Sequence, residues 1–248
     1  MKHEARLIEI FSSIQGEGTM MGEPMTFVRF EQCSFGCRYC DTPESFRKHK
    51  QFRVENPPKS KTFLPLPNPV SAPNLNELLL TFNDPTISIT GGEPLEQAEF
   101  LSTWLPMQFG KRKIFLETNG VHVEGLKSVL PYLNIISMDL KPPTSTGTNK
   151  VYWKEHAEFL QLCVANQKEI YVKIVVTPKL SDRDIEECIR LVSQVSRYVP
   201  LILQPVSQTL TYHDAVDNNR VRSIERTCKA YLPDVRVIPQ MHKIWNVL

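Results

Sequence analysis

Cys33-Ser34-Phe35-Gly36-Cys37-Arg38-Tyr39-Cys40 is the stretch on which the reading of this chain turns. Its CxxxCxxC spacing brings three thiolates to one metal centre, and no fourth cysteine lies nearby. Four thiolates close a zinc or iron–sulfur site, whereas three leave one coordination position that a small molecule can occupy. Cys163, Cys188 and Cys228 are spread over the second half of the chain without a short spacing between any two. They read as ordinary buried thiols. A structural zinc completed by a distant histidine, or a disulfide with one spare thiol, fits less well. Zinc sites usually pair CxxC with a second short ligand pair, which this sequence does not show.

Outward from the triplet, β-rich apolar runs alternate with helical patterns, the signature of repeated βα units and a parallel sheet. The runs are Met25 to Gln32, Thr86 to Thr90, Lys113 to Thr118, Asn134 to Leu140, Glu169 to Thr177 and Pro200 to Pro205, with a seventh at Asp234 to Ile238. Helices are expected over Glu96 to Met107 and Ser181 to Val199. In the second, Ile185, Cys188, Ile189, Val192 and Val195 fall on one face, and Ser181 with Asp184 forms a capping pattern.

A parallel barrel carries its active site on the rim at the C-terminal ends of its strands. The first run leads into the cysteines, the second into Thr90-Gly91-Gly92-Glu93-Pro94, and the third into Glu117-Thr118-Asn119-Gly120. The fourth gives Asp139 and Lys141, the fifth Thr177 and Lys179, the sixth Gln204. Gly, Asn and Pro are also what turns use; six such ends around a cysteine motif look like one site. Gly91-Gly92 lets a ligand approach the backbone. Lys173 shares a strand face with Tyr171 and Val175, so it points either outward or into the barrel, where it needs an anionic partner.

The 248 residues, 41% hydrophobic with net charge +2, fit one domain over 1–248. The near-neutral balance gives no general pull toward nucleic acid or membranes, so a small molecule is the default partner. Met1 to Arg6 is charged, the next apolar stretch is too short for a signal-peptide core, and no run approaches the ~18 apolar residues of a membrane helix. A soluble, cytoplasmic protein with reduced thiols is the expectation.

Pro43 to Asn74 breaks the rhythm: seven of 32 residues are proline, and six lysines and arginines face two acids. Proline restricts the backbone and removes donors, so this insertion is expected to lack regular structure and a core of its own. It reads as a lid or docking surface beside the cysteines, or as a solvated loop with no role.

CxxxCxxC after one strand and GGEP after the next resemble radical S-adenosylmethionine enzymes. The resemblance implies a partial (βα)6 TIM-like barrel of the radical SAM type, with the proline-rich insertion after the cluster loop. It also implies a 4Fe-4S cluster on Cys33, Cys37 and Cys40, whose open iron is chelated by the methionine moiety of S-adenosylmethionine. Cleavage would then yield a 5′-deoxyadenosyl radical. Within the superfamily, Glu9-Ile10-Phe11-Ser12-Ser13-Ile14-Gln15-Gly16-Glu17-Gly18 is similar to the opening of 7-carboxy-7-deazaguanine synthases. Phe27 to Phe30, Cys40-Asp41-Thr42, Ile89 to Pro94, Glu117 to Gly120 and Leu203 to Pro205 agree further. That family converts 6-carboxy-5,6,7,8-tetrahydropterin to 7-carboxy-7-deazaguanine, a queuosine precursor, by radical ring contraction with loss of ammonia.

The resemblance implies substrate contacts at Ile14, Gln15, Gly16, Arg29 and Thr90, and magnesium on the Thr42 hydroxyl. Arg29 can pair a carboxylate bidentately, Gln15 can read a pterin edge, and Mg²⁺ takes hard oxygen ligands. S-adenosylmethionine would contact Tyr39, Cys40, Asp41, Gly92, Asp139, Lys141 and Gln204, Pro205, Val206 and Ser207. Other members have Ser-Pro-Lys where this chain reads Ser137-Met138-Asp139-Leu140-Lys141, and the alignment is set by Lys141. Two readings stand for the tail from Gln240 to Leu248: a surface segment, or one whose terminal carboxylate or His242 reaches the substrate.

The rival readings are a glycyl-radical-enzyme activase, against which Ile14 to Gly18 argues, and a non-catalytic zinc or iron–sulfur binding module. The insertion's basic residues could attract an acidic flavodoxin as electron donor, and a homodimer is expected.

Overall fold

Runs rich in Val, Ile, Leu and Phe extend the backbone and pair side by side. The computed structural model describes residues 4–148 and 150–247. Among the described residues the strands, in chain order, are β1 (Glu4–Ala5), β2 (Leu7–Ile14), β3 (Pro24–Phe30), β4 (Gln51–Glu55), β5 (Phe63–Pro67), β6 (Val70–Ser71), β7 (Thr86–Gly91), β8 (Lys113–Thr118), β9 (Ile135–Leu140), β10 (Glu169–Val176), β11 (Leu201–Pro205) and β12 (Val235–Val237). A ten-stranded sheet runs in the order β12-β11-β10-β9-β8-β7-β3-β2-β4-β5, and β1 pairs with β6 apart from it.

From β3 to β12 every neighbouring pair is parallel. These are the six expected strands and the seventh, with ends displaced by at most two residues. Crossover helices between them make the unit a partial TIM-like barrel. Glu96 to Met107 is not one continuous helix. It divides into a 3₁₀ turn at Pro94–Gln97, an α-helix at Ala98–Trp104 and a second 3₁₀ turn at Leu105–Met107. Pro106 lacks the donor that would continue the α ladder. Asp182–Ser196 is helical as expected, and the Ser181 side chain accepts from the Asp184 amide at 3.2 Å.

The insertion overturns its expectation. β4 and β5 form an antiparallel hairpin, and β4 joins the sheet in parallel register with β2. Phe52 and Val54 are buried in the main core. Prolines 65 and 67 sit on the outermost strand, where no further strand requires their missing amides.

The sheet separates two environments. Outside, Trp104, Phe100, Phe159, Leu160, Cys163, Cys188 and Cys228 pack between helices and strands, so the three scattered cysteines are core residues. Inside, Phe11, Met25, Phe27, Phe115, Ile135, Tyr171 and Ile202 form a smaller apolar floor. Period-two alternation along β10 puts Tyr171, Lys173 and Val175 on the inner side. Lys173 therefore points inward and is only 6% exposed. The residues after β2 close the floor: Gly18 has φ +62°, and a Cβ there would strike the Tyr171 ring. No helix among the described residues is long and apolar enough to cross a membrane.

Candidate active site

Above the apolar floor, the strand ends surround a cavity of about 330 Å³. Its wall includes Cys33, Cys37, Cys40 and Thr42 of the cluster loop, Ile14, Gln15, Gly16 and Arg29 of β2, β3 and the turn between them, and Thr90 and Gly92 after β7. Tyr39, Asp41, Asp139, Lys141, Gln204, Val206 and Ser207 complete the expected set. Pro205 is the expected contact that does not line it.

Each cysteine of the triplet is a free thiol, half-buried against the cavity. Gly36 takes φ +76°, and the Cys40 amide donates to the Cys37 carbonyl at 3.2 Å, which turns the loop tightly. Burial pushes all three thiols up, Cys40 to about 11, so metal loading displaces protons. Among the described residues, the donor set that gathers within 4.8 Å, close enough to share one small ion, is Glu17, Asp41 and His242. Among the described residues the three thiols do not form such a set.

Gly92 lies against the cluster loop: its amide donates to Phe30 O at 3.0 Å, and a Cβ would collide with the backbone carbonyl of Gln32 and come within 3.0 Å of the Cys33 side chain. The glycine therefore serves close packing of the two loops as well as ligand approach. Glu93 is wholly buried and accepts from Leu95 N at 3.0 Å, Thr118 Oγ1 at 2.8 Å and Asn119 N at 2.7 Å. It ties the ends of β7 and β8 together. Burial outweighs these donors and raises its carboxyl to about 7.

A chain of alternating charges crosses the interior. Lys141 Nζ donates to Asp139 Oδ2 at 2.7 Å, Lys173 lies 3.3 Å from Asp139 Oδ1, and Lys173 also pairs with Glu17. Burial opposes the charged form of Asp139, and the two lysines overcome it, holding the carboxyl below its usual range. Lys141 stands 5.6 Å over the Tyr39 ring, joining this chain to the cluster loop.

Gln15 is held at both ends of its amide: Nε2 donates to Glu117 Oε1 at 3.1 Å, and Oε1 accepts from Glu17 N at 3.0 Å. Arg29 donates through Nε to Glu9 at 2.9 Å and lies 5.8 Å over Phe11. Its guanidinium lines the cavity, and among the described residues only its Nε is engaged in a hydrogen bond. The tail is no surface segment between Gln240 and His242. Met241 N donates to Gly16 O at 2.9 Å, and Gln240 Nε2 donates to Glu17 at 2.7 Å and Asp41 at 2.8 Å. A Cβ on Gly16 would lie 2.6 Å from His242 Nδ1. The terminal carboxylate, on Leu248, lies outside the described residues.

The sequence reading placed Glu117 on the rim after the third run without a role of its own, and assigned no role to Glu17 or Gln240. Glu117 was legible, because alternation along Lys113 to Thr118 puts it on the face of Phe115; Gln240 carries no local signal. Among the described residues, the buried polar atoms of the wall without a hydrogen-bond partner include Asn119 Nδ2 and Gln204 Oε1. Buried groups of this kind are normally satisfied. Together with three thiols, a glycine-edged rim and facing acids and bases, they fit a polar cofactor with amino, carboxylate and hydroxyl groups.

Fold and site define a radical S-adenosylmethionine enzyme, and residues 27–192 match the model of the Radical SAM superfamily. Over the full chain, the 7-carboxy-7-deazaguanine synthase of Geobacter sulfurreducens is 37% identical across 256 residues, covering 100% of this chain and 99% of the relative. That of Methanothermobacter thermautotrophicus is 30% identical and covers 96% of each chain. The chain belongs to the 7-carboxy-7-deazaguanine synthase family. The crystal structure of QueE from Escherichia coli superposes with a TM-score of 0.65 at 20% identity, covering 97% of this chain and 96% of that one, and shares the fold.

Proposed function

We propose that this chain is a carbon–nitrogen lyase that contracts the ring of 6-carboxy-5,6,7,8-tetrahydropterin to 7-carboxy-7-deazaguanine, with release of ammonia, on the way to queuosine and related 7-deazapurines. The observation that carries the reading is one cavity in which the thiol triplet faces the Gln15–Gly16–Arg29 wall, in a chain similar to these synthases from end to end.

When bound, the 4Fe-4S cluster and S-adenosylmethionine would supply the radical chemistry that hydrogen abstraction from the pterin needs. This chain's residues do the positioning. Cys33, Cys37 and Cys40 would hold the cluster. Gly92, Asp139, Lys141 and the Gln204 to Ser207 segment would hold the cofactor's polar groups. Arg29, braced by Glu9, pairs the substrate carboxylate, and Gln15 and Thr90 read the ring edge. The apolar floor of Phe11, Phe27 and Tyr171 keeps water from the reacting carbon. Thr42, whose hydroxyl donates to Asp41 Oδ1 at 3.2 Å, would ligate magnesium, with Glu17 and Asp41 adding negative potential beside it. An acidic flavodoxin as electron donor, a homodimer and a cytoplasmic location belong to the same reading.

The test is an anaerobic assay of reconstituted, dithionite-reduced protein with S-adenosylmethionine, magnesium and the pterin, following products by mass. Deazaguanine product that disappears on Cys37→Ala is expected. Deoxyadenosine without it would reopen the substrate, and neither product from a cluster-loaded protein would overturn the reading.

A further inference from the structure

Lys173 lines the cavity between its two walls. Strand register sets it directly beside Asp139, its partner across β10 and β9. From the other side, the turn after β2 comes down on it: Gly18 lies against the Tyr171 ring, and Glu17 accepts from the Lys173 ammonium. The same turn holds the pterin wall, since Glu17 N donates to Gln15 Oε1 at 3.0 Å. Asp139 in turn holds the cofactor wall, its Oδ2 accepting from Lys141 Nζ at 2.7 Å. The ammonium is not shared evenly. It is bonded to Glu17, whereas Asp139 Oδ1, 3.3 Å away, is buried and among the described residues accepts no hydrogen bond. A buried acceptor left unfilled is costly, so a second position of the ammonium, bonded to Oδ1, lies within reach of the first. Burial disfavours the charged amine, and Asp139, Glu17 and Glu117 together overcome it.

We propose that Lys173 is a positioning residue that couples the two half-sites: binding of the pterin moves its ammonium from Glu17 to Asp139 and thereby frees Lys141 for the cofactor. The inference rests on the proposed function, in which Lys173 otherwise has no part. A ring N–H of the pterin that donates to Glu17 satisfies part of its charge and weakens its draw on the ammonium. Asp139 Oδ1 then gains the bond it lacks, and an aspartate balanced by Lys173 holds Lys141 less strongly. Lys141 already stands at the cofactor wall, 5.6 Å over the Tyr39 ring, where its released charge suits the carboxylate of S-adenosylmethionine. No covalent bond or proton changes hands. The effect is reciprocal by linkage, so the cofactor tightens pterin binding by the same factor. A site that grips its cofactor best with the pterin present loses less of it to unproductive cleavage.

The test is a titration of the anaerobic, cluster-loaded but unreduced enzyme with S-adenosylmethionine, with and without saturating pterin at fixed magnesium, read as dissociation constants and not as turnover. In the parent the pterin should tighten cofactor binding at least about fivefold. The two single variants should then move in opposite directions. Lys173→Met leaves Asp139 gripping Lys141, so cofactor binding should be weak and indifferent to the pterin. Glu17→Gln releases the ammonium to Asp139 beforehand, so cofactor binding without the pterin should approach that of the parent with it. Where Lys173→Met alone does not fold, Lys173→Met combined with Glu17→Gln takes its place and should show the same weak, pterin-independent binding. Equal cofactor affinity with and without the pterin in the parent, or coupling that persists without Lys173, would overturn the proposal. So would a Glu17→Gln protein that binds the cofactor as weakly as Lys173→Met, the mark of a merely structural pair. A parent that binds the cofactor but no pterin would count against the proposed function instead.

Discussion

Lys173 forms an ion pair with Glu17, a residue 156 positions earlier in the chain, inside the barrel. Asp139 shares the same ammonium at 3.3 Å. Removing one member of a buried pair leaves the others charged and unmatched, at a cost of about 3–5 kcal/mol. Lys173→Met should therefore lower the thermal midpoint strongly, and the additional change Glu17→Gln should recover part of the loss. A Lys173→Met protein as stable as the parent would show that the pair contributes nothing net.

His156 predicts a pH effect. Burial drives its imidazole down to about 4, and Nε2 sits 3.0 Å from Asn119 O. The unfolded chain takes up this proton near the ordinary value of about 6.5, while the folded state takes it only near 4. The stabilisation is complete above about pH 6.5 and declines as pH falls toward 4. Denaturant titrations from pH 7 to 4 should show the decline in the parent and a weaker one in His156→Gln. Equal slopes would remove His156 as the cause.

Gly92→Ala places a methyl against the Gln32 carbonyl. The obstacle is backbone, so the cluster loop itself must move. Iron content after anaerobic reconstitution should fall well below that of the parent, whereas Gly110→Ala, whose Cβ meets nothing within 4 Å and whose φ of +74° strains only its own turn, should load normally.

Gln240→Ala leaves Glu17 and Asp41 without the amide that both accept from. The KM for the pterin should rise, because two carboxylates of the cavity wall lose the donor that orients them, while pterin-free cofactor cleavage persists. An unchanged KM would detach the tail from substrate binding.

Thr42→Ala should weaken the response of turnover to added magnesium while iron content stays at the parental level. Parental activity and an unaltered magnesium response would refute the assignment of that ion.

The parallel strands were legible because inner and outer faces both need apolar residues, which leaves long Val/Ile/Leu runs with polar ends. The rim positions followed, since a strand's end is also its last readable residue. The hairpin at β4 and β5 was not legible: prolines 65 and 67 signal irregular backbone in isolation, and only the sheet's edge makes them harmless. Lys173 was undecided for a similar reason. Its inward direction depends on Glu17 and Asp139 being there to meet it, and neither is near in sequence. Gln240 meets Glu17 across 223 residues, a distance at which local pattern carries no information.

Those separations also bear on how the chain reaches this state. Contacts that span 156 and 223 residues close longer loops than those between neighbouring βα units, and the expected order puts them later. Hydrogen exchange during refolding should then show the strands protected before Lys173 and Glu17 meet, and iron added before that step should load more readily than iron added after it.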